Sequence, residues 1–343
     1  MCIRDSYQQQ LEEVEQEKES IREKGIEDAE NFIANNPDSK VLDKVLMRLA
    51  ELYYEKANEK YLEEMQQYDQ MIEQLDNAVV DSNVTEPVKD FSKPLAIYER
   101  IIHDFPHSNL VDDACYNKGY VLEEIGEIDS ALHVYQYIIT EFPESRYVPE
   151  SLMRIAEYHF TPPRNDIEKA IGYYKRILEY KDSPKYDEAL YRLGWCYYRL
   201  SDYPQAVSYF TLLVNDVERL KEIHLGGDVS NPDLRDEALE YIGLSFLDQG
   251  GLASAVEYIQ SIGNPAYGFD ILKKMGDVYM NEKEEYREAI AVYSKILKMY
   301  PEKEDAPQIH EKIVNCYRFL GDDRLAYLSR DQLFNQYKPG SPW

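Results

Sequence analysis

The feature that most constrains this chain is a spacing. A glycine is followed twelve residues later by an alanine at Gly119 and Ala131, at Gly194 and Ala206, and at Gly243 and Ala255. Gly276 with Ala289 is one residue longer, and Ala156 with Ala170 two longer. Four residues past the alanine stands Tyr135, Tyr174, Phe210, Ile259 or Tyr293; seven past it stands Ile138, Ile177, Leu213, Ile262 or Ile296. Offsets of four and seven share one face of an α-helix. Small residues where two helices cross allow close backbone approach, and larger residues there would overpack the crossing. Pro143 and Pro301 stand twelve residues past the alanine, where a proline cannot continue the helix. Pro106 follows Tyr98 and Ile101 in the same way, with Pro94 in the alanine's place, and Pro37 follows Gly25 and Phe32. Between the two helices lie turn formers: Gly126-Glu127-Ile128-Asp129, Ser201-Asp202-Tyr203-Pro204 and Gly250-Gly251. The expected fold is all-α, a series of helix–turn–helix units of about 34 residues, none able to bury its apolar face alone.

Composition narrows the function classes. Hydrophobic residues are 44% of 343, enough for a substantial core. Net charge is −27, from 38 basic and 65 acidic residues, which disfavours nucleic acid and anionic membrane surfaces as partners. The acidity reads as a solvated surface or as an attraction for a basic partner. No apolar run reaches the ~18–20 residues of a membrane span, and no N-terminal stretch has the make-up of a secretory leader. Residues 1–6 (MCIRDS) do not blend into the acidic helical sequence after them and are expected to be a non-native leader. With the abrupt final Pro339-Gly340-Ser341-Pro342-Trp343, both ends read as cuts in a longer protein. Cys2, Cys115, Cys196 and Cys316 are far apart, and the last three fall in helical patterns. They are expected as free thiols, the last three of them buried, rather than disulfides or metal ligands.

The units resemble the tetratricopeptide family, which implies a right-handed α-solenoid. The clearest is 112–143, DDACYNKGYVLEEIGEIDSALHVYQYIITEFP; 187–219, 236–263 and 269–301 follow. Residues 149–184 carry an insertion around Thr161-Pro162-Pro163, and 307–337 is weaker, with Gly321 and Ala326 in place. Residues 43–106 are split by an insertion, and 17–37 looks like a second helix without its first. The resemblance covers nearly the whole chain, a single array over 7–343. The links Pro37-Asp38-Ser39, Pro106-His107-Ser108 and Pro143-Glu144-Ser145 resemble those of bacterial envelope proteins of this family. Those include the lipoprotein partner of the outer-membrane β-barrel insertase and the periplasmic coordinator of the Tol–Pal system. That resemblance implies a periplasmic or outer-membrane-associated scaffold. A cytoplasmic arm of a larger multidomain protein is the other reading.

Two insertions break the regularity. Residues 40–78 read as one overlong helix, whose extension keeps Tyr61, Met65, Tyr68, Met71, Ile72 and Leu75 on one stripe, with a turn back at 77–89. Residues 216–231 read as a helical extension followed by a loop through Gly226-Gly227-Asp228. No phosphate loop, GxSxG elbow, HExxH or paired zinc ligands occur. The six histidines are scattered, and Pro106 breaks any helical pairing of His103 with His107. No enzyme, cofactor or metal is expected.

In the tetratricopeptide family the first helices line a concave groove. Counting the Gly119-type residue as position 8, position 6 reads Arg48, Asn117, Arg154, Arg192, Tyr241, Lys274 and Lys312, five of seven basic. This ladder is a candidate site for an acidic or carboxylate-bearing protein segment or extended peptide. The other reading pairs each cation with acids on neighbouring helices. Tyr116, Tyr120, Tyr191, Trp195 and Tyr198, with Arg199 beside them, are candidate interface anchors. The family's two-Asn, Lys/Arg carboxylate clamp is complete in no unit. Tyr135 and Tyr174 are expected in the core.

Overall fold

A computed structural model describes residues 3–75, 85–222 and 232–341, and gives them fifteen α-helices and no strand. The fold is an all-α helical repeat. The sequence reads as one array; the chain packs as two compact units, Met1–Ile155 and Ala156–Trp343.

The first unit holds α1 (Ile3–Asn35), α2 (Leu42–Leu75), α3 (Ser92–Asp104), α4 (Val111–Glu124), α5 (Ile128–Glu141) and the start of α6 (Val148–Phe160). Its core gathers Leu46, Ala50, Phe91, Tyr98, Ile101, Ala114 and Val121, all buried. Ile26 of α1 packs with Leu49, Leu52 and Tyr53 of α2. Helix α1 begins at Ile3, well before residue 17 where the pattern became legible. The overlong helix is α2, in which Tyr61, Met65 and Tyr68 are half-buried while Leu62, Met71 and Ile72 are exposed. The turn read at 77–89 lies largely outside the described residues.

The second unit holds the end of α6, then α7 (Ile167–Ile177), α8 (Lys185–Arg199), α9 (Tyr203–Glu222), α10 (Pro232–Asp248), α11 (Gly251–Ser261), α12 (Gly268–Asn281), α13 (Tyr286–Met299), α14 (Ala306–Phe319) and α15 (Asp323–Tyr337). One core runs through it, from Leu190, Phe210 and Leu213 to Ile242, Met275, Tyr293, Ile296 and Ile309. Each such side chain, fully buried, contributes about 1.5–3 kcal/mol from area removed from water. Helix α9 runs on to Glu222 and buries Val217 and Leu220; the loop read after it lies outside the described residues. No helix among the described residues is long and apolar enough to cross a membrane.

The glycine–alanine spacing has a specific cause. A Cβ on Gly119 would stand 2.7 Å from the ring of Tyr135, one on Gly194 2.5 Å from Phe210, and one on Gly276 2.5 Å from Tyr293. A Cβ on Gly243 would instead meet the Ile271 backbone oxygen at 3.3 Å, whereas at the other three positions the glycine makes room for the aromatic ring four residues past the alanine. Those rings are wholly buried. Between the helices, Gly126 (φ +79°) and Ser201 (φ +57°) take the left-handed conformation that reverses the chain.

The serine links also have a local role. The Ser108 hydroxyl donates to Asp43 at 2.5 Å, and the Ser145 hydroxyl to Asp112 at 2.6 Å. Each link thereby ties the end of a hairpin back to the first turn of its own first helix. Asp187 holds the same register in α8, seven residues before Gly194, but α9 runs on where the serine would fall. Asp187 is 4% exposed and no hydrogen-bond donor reaches either carboxylate oxygen. Burial and the facing carboxylate of Asp216 push Asp187 up to about 7. Cys115, Cys196 and Cys316 are free and buried, and burial raises each thiol; Cys2 lies outside the described residues.

Candidate functional site

The ladder cations do not stand free. In the first unit Arg48 pairs with Glu51 of its own helix at 2.9 Å. Arg154 pairs with Glu123 at 3.5 Å and with Glu150 at 3.2 Å. In the second, Arg192 pairs with Glu157 at 2.8 Å, Lys274 with Glu240 at 2.7 Å and Lys312 with Asp277. Four of these five reach an acid on the preceding first helix. The excess of acids that makes the ladder conspicuous also neutralises it.

A third member completes the arrangement. The Tyr135 hydroxyl donates to Glu123 at 2.9 Å, that of Tyr174 to Glu157 at 2.7 Å, and that of Tyr293 to Asp277 at 2.7 Å. A buried second-helix tyrosine, a first-helix carboxylate and the next first helix's cation thus form a latch, repeated three times. Burial raises the Asp277 carboxyl, yet Lys312 and Tyr293 together hold it below the usual range. Charge-assisted hydrogen bonds of this kind join successive hairpins.

One hairpin replaces the latch at every position. Trp195 stands one residue past Gly194, where Glu157 and Asp277 stand past Ala156 and Gly276. Phe210 stands for the tyrosine and Tyr241 for the cation. Tyr241 lies against both, with ring centroids 4.3 Å from Trp195 and 5.8 Å from Phe210. Tyr198 joins edge-on, 6.1 Å from Trp195 and 5.3 Å from Tyr241. Trp195, Tyr198 and Tyr241 are half-buried. They form an aromatic shelf across α8 and α10. Tyr191, buried, meets Trp195 edge-on at 6.4 Å and donates its hydroxyl to Glu237. The Tyr198 hydroxyl donates to Asp248 at 3.0 Å. Burial and these carboxylates raise both phenols, Tyr191 to about 12.

The remaining candidates serve local contacts. Tyr116 stacks on Tyr147 at 4.4 Å. Tyr120 lies under the Arg154 guanidinium at 5.8 Å, and the Asn117 amide donates to the Met47 sulfur at 3.9 Å. Arg199 binds Asn165 and lies 4.7 Å from the Phe160 ring centroid. The sequence reading included Trp195 and Tyr198 but counted Tyr241 only as a gap in a basic ladder. Its role follows from Phe210, the one phenylalanine among the Ala+4 residues.

Comparison with known proteins bears on the repeat itself. Sequence profiles described as tetratricopeptide repeat match residues 113–145, 164–217 and 273–303. The chain carries tetratricopeptide repeats. The matched segments contain most of α4–α5, of α7–α9 and of α12–α13. No curated protein matches the chain. Among solved structures, the MamA protein is similar at 15% identity over 69% of this chain and 99% of that one, with a TM-score of 0.31. A tetratricopeptide repeat protein from Parabacteroides merdae is similar at 13% identity over 82% and 81%, with a TM-score of 0.30. The apo quorum sensor NprR from B. thuringiensis is similar at 13% identity over 82% and 77%, with a TM-score of 0.33. Likenesses this remote carry nothing about partners or activity.

Proposed function

We propose that this tetratricopeptide chain is a non-enzymatic scaffold that holds an extended segment of a partner protein, with the aromatic shelf on α8 and α10 as its principal contact. One observation carries this reading. Trp195, Tyr198 and Tyr241 are half-buried; Trp195 and Tyr241 take over positions of a latch that joins hairpins elsewhere, and Tyr198 packs against both. Large aromatic side chains left partly open on a rigid helical base are the usual anchors of protein interfaces. The basic ladder supports an interface less well, because an acidic segment would have to displace Glu123, Glu157, Glu240 and Asp277 from their present partners.

The test is a photo-crosslinking amino acid placed at Tyr198 in the full chain, expressed in its native cell. Crosslinked partners that disappear with Trp195→Ala support the shelf. The same partners captured undiminished through Trp195→Ala and Tyr241→Ala would sink it. Location in the bacterial envelope is a further proposal. It rests on the proline–serine links alone, and two of their serines have the local task of holding Asp43 and Asp112. Cell fractionation of the tagged full-length protein decides it: a cytoplasmic pool alone removes the envelope reading.

A further inference from the structure

We infer that the segment held on the shelf is basic, with a lysine or arginine side chain seated against Trp195, Tyr198 and Tyr241. This rests on the scaffold reading above and gives it a partner chemistry opposite to that suggested by the ladder.

The first argument is the inventory of hydrogen-bonding groups. The Tyr191 and Tyr198 hydroxyls already donate, to Glu237 and Asp248. Trp195 meets the Tyr191 ring edge-on at 6.4 Å. Both hydroxyl bonds end on exposed carboxylates, so the shelf offers a ligand π-faces and carboxylate lone pairs. These are acceptors, and their natural complement is a donor that carries positive charge. Aromatic faces attract a cation through their quadrupole, most strongly for tryptophan.

The second argument is the pairing of charges. Arg192 and Lys274, the cations flanking the shelf in the ladder register, are bound to Glu157 and Glu240. Glu237 and Asp248 are exposed, and each accepts a tyrosine hydroxyl without any ion-pair partner among the described residues. In a repeat whose neighbours match carboxylate to cation, two carboxylates stand uncompensated, both tied to the shelf. The third is the chain as a whole: at −27, long-range attraction delivers cationic segments and repels anionic ones.

The chain has two tryptophans, so Trp343→Phe leaves Trp195 as the sole indole reporter. The 343-residue Trp343→Phe chain is titrated with a capped decapeptide of alternating arginine and alanine, and with its glutamate counterpart. The expected result is a saturable change in Trp195 emission with the arginine peptide only. Glu237→Gln with Asp248→Asn keeps acceptors for both tyrosines and should weaken binding about tenfold. Glu63→Gln with Asp69→Asn removes the same charge from exposed positions on α2 and should leave the affinity within about twofold. Equal weakening by the two double variants would overturn the inference, because the attraction would then be general. Preference for the glutamate peptide would overturn the charge assignment and leave the scaffold reading standing. Absence of any Trp195 response to either peptide would overturn the inference as well, and the crosslinking at Tyr198 would judge the scaffold reading separately.

Discussion

The hairpin of α12 and α13 and the hairpin of α8 and α9 share one backbone plan and differ in what they leave unfinished. In the first, Tyr293, Asp277 and Lys312 close on one another, and the polar groups are consumed within the array. In the second, Phe210, Trp195 and Tyr241 occupy the same register and meet only through ring contacts. The second hairpin also has Asp187 without the serine that serves Asp43 and Asp112, and its tyrosines reach two carboxylates that lack cations. The difference teaches that regular repeats in this chain satisfy themselves. The repeat that departs from the pattern keeps surface and charge available for something else, as expected where local rules give way to a binding task.

The comparison breaks first at the shared glycine. Gly194→Val drives a branched side chain into the Phe210 ring and should lower stability by about 3 kcal/mol in chemical denaturation. A loss under about 1 kcal/mol would show that the ring does not depend on the glycine.

Next comes the orphan carboxyl. Asp187 is pushed up to about 7, above the ~3.9 of an unfolded chain, so its ionisation opposes folding. Below about pH 4 it is protonated in both states and has no effect. Stability should fall as pH rises from about 4 through about 7, then level. Asp187→Asn should flatten that slope and raise stability at pH 8 by about 2 kcal/mol, with little change at pH 4. An unchanged slope in the variant would place the titration elsewhere.

The latch itself should show a smaller effect. Tyr293→Phe leaves Asp277 with Lys312 and Lys273 and should cost about 1 kcal/mol. Phe210→Tyr adds a hydroxyl where Trp195 replaces the acceptor, and should gain nothing. A gain there comparable to the Tyr293 loss would mean that the two registers are not opposed. The smallest change is Gly172→Ala in α7, where an added Cβ meets no atom within 4 Å; it should stabilise by up to about 1 kcal/mol. Destabilisation would count against reading the Gly194 effect as a steric one.

Much of the fold was legible because helical periodicity is local. The Ala+4 and Ala+7 residues, the turn at Gly126 and the terminating Pro143 all act within a few residues of one another. Helix α1 was legible only from residue 17, since its earlier part carries few apolar residues to mark a face. The site was half legible. Trp195 and Tyr198 announced themselves as aromatics near position 8. The ladder misled because cations recurring at one position look alike whether they face solvent or a carboxylate. Lys274 and Lys312 are told apart from free cations by Glu240 and Asp277, each more than thirty residues away in the chain.

The sequence alone determined the repeat: the spacing of small, aromatic and branched residues admits one economical packing, helix against helix. It also determined the sign of the charge. Tertiary structure decided where that charge is spent. Whether a carboxylate is neutralised depends on distances across hairpins, and those distances matched Tyr, acid and cation in three places and left Glu237 and Asp248 beside Trp195 and Tyr198 without a counter-ion.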